Sequence, residues 1–188
     1  MRKKIMKNLK RIVLDTESTG FSPKKGDRII EIGAIELDSN TSKNNSFHCY
    51  INPEMEMNPR VIEVHGITDE FLANKPKFKD IMHDFIDFIE GAELIIHNAR
   101  FDQSFIDAEF SRADYDKKLE DICKITDTLK IARELHPGMN NSLDGLCSRY
   151  AIDEFDRSIH GALLDAEILA EVYSKLQQEN LYTSNGGL

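Results

Sequence analysis

The chain has 188 residues, 40 % of them hydrophobic and 30 % charged, a composition that suits one globular domain with a real core. No apolar run approaches the roughly 20 residues of a membrane helix, and the basic start MRKKIMKNLKR has no apolar signal region after it, so the chain reads as cytoplasmic with no membrane partner. A net charge of −9, from 33 acidic and 24 basic residues, argues against a broad basic face for nucleic acid, yet permits a small site that meets phosphate through bound cations.

In chain order, a strand is predicted over about 11–16, where Ile12, Val13 and Leu14 are apolar and two of them β-branched. IIEIGAIEL (29–37) and SFHCYIN (46–52) read as the second and third strands, with turns at Gly26 and at SNTSKNN (39–45). The stretch from Asn58 to Pro76 reads as short helical pieces and loop. A helix is predicted over 77–91, with apolar residues at 78, 81, 82, 85, 88 and 89 and Gly91 at its C-terminal end. AELIIHN (92–98) is a buried strand, followed by a helix over about 100–113. KITDTLKIAREL holds a short strand and a helix, and SLDGLCSRY is a short helix opened by Asn141 or Ser142. The last long helix covers 161–177. Residues 1–180 then form one domain, and 181–188 a polar flexible tail. Three antiparallel strands followed by β-α-β-α units predict an α/β fold, a mixed sheet flanked by helices.

Asp15 and Glu17 are two apart at the end of an apolar strand. They therefore share a face roughly 6 to 7 Å apart. Asp102 falls in the first turn of a helix that follows a strand, where it suits the positive helix end with Asn98 as cap, but it also leans toward buried Phe105 and Ile106. Asp165 shares a helical face with Leu169, Val172 and Leu176, and an unpaired carboxylate on such a stripe is costly. A salt bridge would answer that cost, and so would a cation. Hard divalent ions take carboxylate oxygens, water and phosphate, and two of them about 4 Å apart can clamp the attacking and leaving oxygens of a phosphoryl displacement.

DTESTG (15–20), HNARFD (97–102) and HGALLDAE (160–167) resemble, in this order, the three motifs of the DEDDh exonuclease superfamily. IIEIGAIEL, VHGITDEF, GAELIIHNARFD, KITDTL and PGMNNSLDGLCSRYAID extend the likeness over roughly 11–177 to the epsilon proofreading subunits of bacterial DNA polymerase III. The resemblance implies an RNase H-like fold. It implies a 3′–5′ exonuclease that releases nucleoside monophosphates from single-stranded or mismatched DNA 3′ ends, using two divalent cations, Mg²⁺ or Mn²⁺. Asp15 would bridge both ions, Glu17 and Asp165 would hold the first beside the attacking water, and Asp102 would hold the second. His160 would be the general base on a loop freed by Gly161. Substrate contacts would come from Asp15, Glu17, Asp165, His65 and the segment Thr16, Ser18 and Thr19. Arg60 stands where the family often has Glu. The implied partners are the polymerase catalytic subunit and the small accessory subunit of the replicative core.

Gln178 to Tyr182 has the Q-x-x-L-aromatic spacing of a sliding-clamp peptide, a spacing that a polar tail also reaches by chance. Such subunits usually carry a linker and a polymerase-binding segment after the nuclease domain. This chain ends at Leu188, which fits an excised domain or a short natural form. A related RNA-directed nuclease, such as an RNase T or oligoribonuclease relative, and a silent polymerase scaffold are the competing readings. His97, His48, His83 and His136, Asp127, and Cys49, Cys123 and Cys147 are expected to be structural.

Overall fold

The computed structural model describes residues 9–37, 45–152 and 160–184. The basic start, most of the predicted 39–45 turn and the last four residues lie outside them.

Strand β1 (Arg11–Ser18) is the middle of a five-stranded sheet that continues through β2 (Ile29–Glu36), β3 (Ser46–Tyr50), β4 (Glu93–Ile96) and β5 (Lys124–Asp127), in the order β3-β2-β1-β4-β5. The pairs β1–β2 and β2–β3 are antiparallel, and β1–β4 and β4–β5 are parallel. This is the mixed sheet that the sequence predicts. Ile12, Val13 and Leu14 are fully buried because helices cover both faces of the central strand.

Alternation along the strands assigns the faces. Ile12, Leu14, Ile32, Ala34, Leu94 and Ile96 pack with Phe78, Phe85 and Ile89 of α3 (Phe78–Ile89) and with Phe105, Ile106 and Phe110 of α4 (Ala99–Arg112). Val13, Ile35 and Ile95 pack on the other face with Ala166, Leu169 and Tyr173 of the last helix, Ala162–Ser184. The chain also forms the short helices α1 (Pro59–His65), α2 (Asp69–Leu72) and α5 (Leu119–Ile122). Helices α6 (Thr128–Leu135) and α7 (Leu143–Tyr150) follow, and the last helix is α8.

Helix α3 buries the predicted stripe and ends where Gly91 takes φ 74, a left-handed conformation that suits glycine. Asp127 caps α6 by accepting from the Leu129 amide, and Ser142 caps α7 by accepting from Gly145. Three expectations are corrected. β1 runs on to Ser18, so Asp15 and Glu17 lie within the strand, not past it. Asn98 does not cap α4 through its side chain. The sharp turn from β4 into α4 puts it in the left-handed region (φ 62, ψ 50), where it makes no such bond. Helix α8 does not stop at 177, because Leu176 and the residues before it anchor it and the polar turns beyond have no glycine or proline to break them. Residues 181–184 are therefore helical and not a loose tail.

Candidate active site

The site forms at the end of the sheet where β1 leaves the core. Asp15 and Glu17 continue the row of Val13 and so face α8. Their cross-strand partners on β2 are Gly33 and Glu31. Gly33 is where α8 crosses. A Cβ there would stand 2.3 Å from the Leu163 nitrogen and 2.4 Å from the Ala162 carbonyl carbon, so only glycine lets the helix start this close. That approach delivers Asp165, which is 6 % exposed, to the two strand carboxylates.

One ligand atom from each of Glu17, His160 and Asp165 lies within 4.8 Å of the others. His160 Nδ1 is 3.0 Å from Asp165 Oδ2. Its backbone N–H donates to the Val64 carbonyl at 3.4 Å, which ties the histidine segment to the end of α1.

Asp102 arrives from the opposite face, in the first turn of α4. It is 3 % exposed, and the Thr16 hydroxyl donates to its Oδ1 at 2.7 Å. Burial pushes its carboxyl up to about 7, against the pull of that hydrogen bond. Asp15 is held well above the usual carboxylate range, by burial first and then by Asp102, Glu17, Asp165 and Glu31 in turn. The leading charges acting on Asp15 are all negative. An all-oxygen set with one imidazole at its rim fits hard divalent cations, which would relieve this repulsion.

The remaining predicted residues divide. His65 is 3 % exposed and lies beside Val64 at the end of α1. Its Nδ1 accepts from the Ile67 amide at 3.0 Å, so the proton of the neutral ring sits on Nε2, which is buried with no hydrogen-bond partner among the described residues. Burial lowers its pKa. Thr16 faces Asp102, away from α8. Ser18 bonds the Gly20 carbonyl at 2.6 Å, and Thr19 accepts from the Arg28 amide at 2.9 Å, so both side chains serve the turn that closes β1 on β2. Arg60 is exposed on α1. His97 bonds Thr128 Oγ1 at 2.9 Å, and His136 meets Tyr150 and Glu179. The three cysteines are free thiols.

Sequence reasoning missed Glu31. It is 2 % exposed and belongs to the acidic cluster's surroundings, with Glu17 across from it and Ala162 and His48 bonded to it. The signal was present: a carboxylate flanked by isoleucines in IIEIGAIE, in register with Gly33 and Ile35 on the face that packs against a helix. His48, expected to be structural, is its partner.

Residues 12–173 match the family model described as exonuclease. The DNA polymerase III subunit epsilon of Haemophilus influenzae is 51 % identical over 179 residues, covering 92 % of this chain and 70 % of that protein. That of Escherichia coli K12 is 51 % identical over 169 residues (87 % and 70 %), and that of Rickettsia conorii 47 % over 172 (91 % and 75 %). Among solved structures, the nuclease domain of 3′hExo, a DEDDh family member bound to rAMP, superposes with TM-score 0.75 at 20 % identity, covering 90 % of this chain and 92 % of that one. Exonuclease X in complex with 5′ overhanging duplex DNA gives 0.66 at 24 %, covering 89 % and 91 %. At such identities the likeness speaks to the RNase H-like fold.

Proposed function

The chain belongs to the exonuclease family and, within it, to the epsilon subunits of bacterial DNA polymerase III, and from that premise we propose how its residues act. It is a 3′–5′ exonuclease that removes nucleoside monophosphates from DNA 3′ ends and proofreads for the replicative polymerase. The observation that carries the mechanism is the convergence of Asp15, Glu17, Asp102 and Asp165 with His160 at one end of the sheet.

Two divalent cations, Mg²⁺ or Mn²⁺, would supply charge neutralisation and polarisation of the scissile phosphodiester. Asp15 would help hold both, Glu17 and Asp165 the first, and Asp102 the second. His160 takes the proton of the attacking water at an imidazole nitrogen. The water oxygen bonds to phosphorus, the P–O3′ bond breaks, and the shortened strand keeps its 3′ oxygen, which gains a proton. His65, at the end of α1, borders the terminal nucleotide, and the backbone of Thr16 to Thr19 flanks the sugar and base. The acidic surface favours a frayed or single-stranded end over duplex.

The polymerase catalytic subunit and the small accessory subunit are the proposed partners, in the cytoplasm. Among the described residues no helix is long and apolar enough to cross a membrane. The clamp is a weaker candidate. Leu181 and Tyr182 are exposed, but on a helix.

The test is release of nucleoside monophosphates from labelled DNA and RNA oligonucleotides, with paired and mismatched 3′ ends, with and without chelator. Cation-dependent digestion from mismatched DNA 3′ ends is expected. Digestion from the 5′ end, full activity in excess chelator, or preference for RNA would sink the reading. Co-purification with the polymerase catalytic subunit tests the assembly.

A further inference from the structure

Glu31 is a fully buried carboxylate to which the mechanism above gives no task. It stands across from Glu17 and adds to the charge that burdens Asp15, so by electrostatics alone it harms the cluster. Its oxygens point elsewhere. Oε2 accepts from the Ala162 N–H at 3.1 Å, and Oε1 accepts from His48 Nε2 on β3 at 2.7 Å. Ala162 is the first residue of α8, two after His160 and three before Asp165. A helix start has amides without partners inside the helix, and its positive end favours a carboxylate.

We propose that Glu31, braced by His48, is a positioning residue that pins the start of α8 to β2 and so sets where His160 and Asp165 stand. The assignment rests on the nuclease reading above, but its geometry does not. Glu31 is joined to β1 by backbone register, and its side chain bonds β3 through His48 and α8 through Ala162, so one residue links three elements around the site. A ligand role is the competing explanation, and the amide distinguishes the two. Gln at this position keeps an oxygen for the Ala162 N–H and an NH₂ for the other tautomer of His48, but it is a poor substitute for a carboxylate ligand.

The experiment compares Glu31→Gln, Glu31→Ala and His48→Ala with the parent by kcat and KM on a mismatched DNA end, by calorimetric Mn²⁺ titration, and by crystal structure. Expected results are a kcat loss of roughly 10- to 100-fold for Glu31→Ala with KM changed little, recovery to within a few-fold in Glu31→Gln, and Mn²⁺ affinity near the parent's in Glu31→Gln. The Glu31→Ala structure should show the start of α8 shifted away from β2. Should Glu31→Ala not fold, His48→Ala carries the test, with a kcat loss of at least about 3-fold expected. Parent-like kcat in both alanine variants, or a Glu31→Gln variant as weak in Mn²⁺ binding as Glu31→Ala, overturns the proposal. Inactivity of the parent would instead overturn the nuclease reading, and the displacement of α8 would still decide the role of Glu31.

Discussion

Gly33 of β2 lies beneath the first turn of α8, so near that the Cβ of any other residue would stand 2.3 Å from the nitrogen of Leu163. Backbone, not a flexible side chain, is in the way, so the helix itself must move. Gly33→Ala should destabilise the protein by about 1–3 kcal/mol and reduce turnover by at least about tenfold, since Asp165 would leave its place. Urea unfolding and single-turnover kinetics check both. A variant with parent stability and parent turnover would show that the close approach carries no weight.

The carboxylates make cation binding and pH inseparable. Asp102 titrates near about 7 in the folded chain against 3.8 for its ordinary value, and Asp15 is also raised. The folded state therefore holds protons that the unfolded chain releases. Their stabilisation is complete below the unfolded value and is lost as pH rises through the folded one. In chelator, the melting temperature should fall between about pH 5 and pH 8. Cations displace those protons, so Mg²⁺ or Mn²⁺ should raise the melting temperature most at the alkaline end. A melting temperature in chelator that climbs over that range would contradict the raised values. Thr16→Val removes the hydroxyl that lowers Asp102 and should move the transition further up.

His160→Ala separates chemistry from binding. On the proposed assignment the four carboxylates hold the cations without it, so Mn²⁺ affinity should stay within a few-fold of the parent's. Turnover should drop by roughly 10²–10⁴, the usual worth of a general base. Retained turnover, or lost cation binding, would reassign the residue.

Glu109 tests the scaffold away from the chemistry. It is 1 % exposed and receives two bonds from Arg28, at 2.6 Å from Nε and 2.9 Å from Nη2, with Arg112 adding a third at 3.1 Å. This pair locks the end of α4 to the start of β2. Glu109→Ala leaves the Arg28 guanidinium without its carboxylate and should cost about 3 kcal/mol, read as a lowered urea midpoint. An unchanged midpoint would show that the pair is replaceable.

Periodicity made much of this molecule legible. The apolar stripes of α3 and α8 and the all-apolar core of β1 each report burial directly, because side-chain direction follows from spacing. The same rule set Asp15 beside Glu17 and turned Asp165 inward. What spacing cannot express is contact between distant segments. Gly33 is an unremarkable letter until α8 lies on it, and Glu31 reads as one strand acid among many until Ala162 and His48, 131 and 17 residues away, bond to it. Local signals also misled where the backbone had other business. Asn98 is a good helix cap by composition, but the turn out of β4 claims its conformation. The polar residues after 177 read as an end, though nothing in them stops a helix already anchored by Leu176.

Helix α8 has a temporal consequence. Asp15, Glu17 and Asp102 are synthesised early, on elements that can pair and pack among themselves. His160 and Asp165 come with the last described helix, which must dock across β1 and β2 to meet them. A nascent chain thus carries most of its acids before it can cut anything, and degradative power switches on only as folding finishes. The reverse route holds as well. If the start of α8 lifts from Gly33 while the sheet and the α3–α4 face stay packed, the chain becomes a folded but harmless binder of cations. Amide exchange would register that event as loss of protection in α8 ahead of β1.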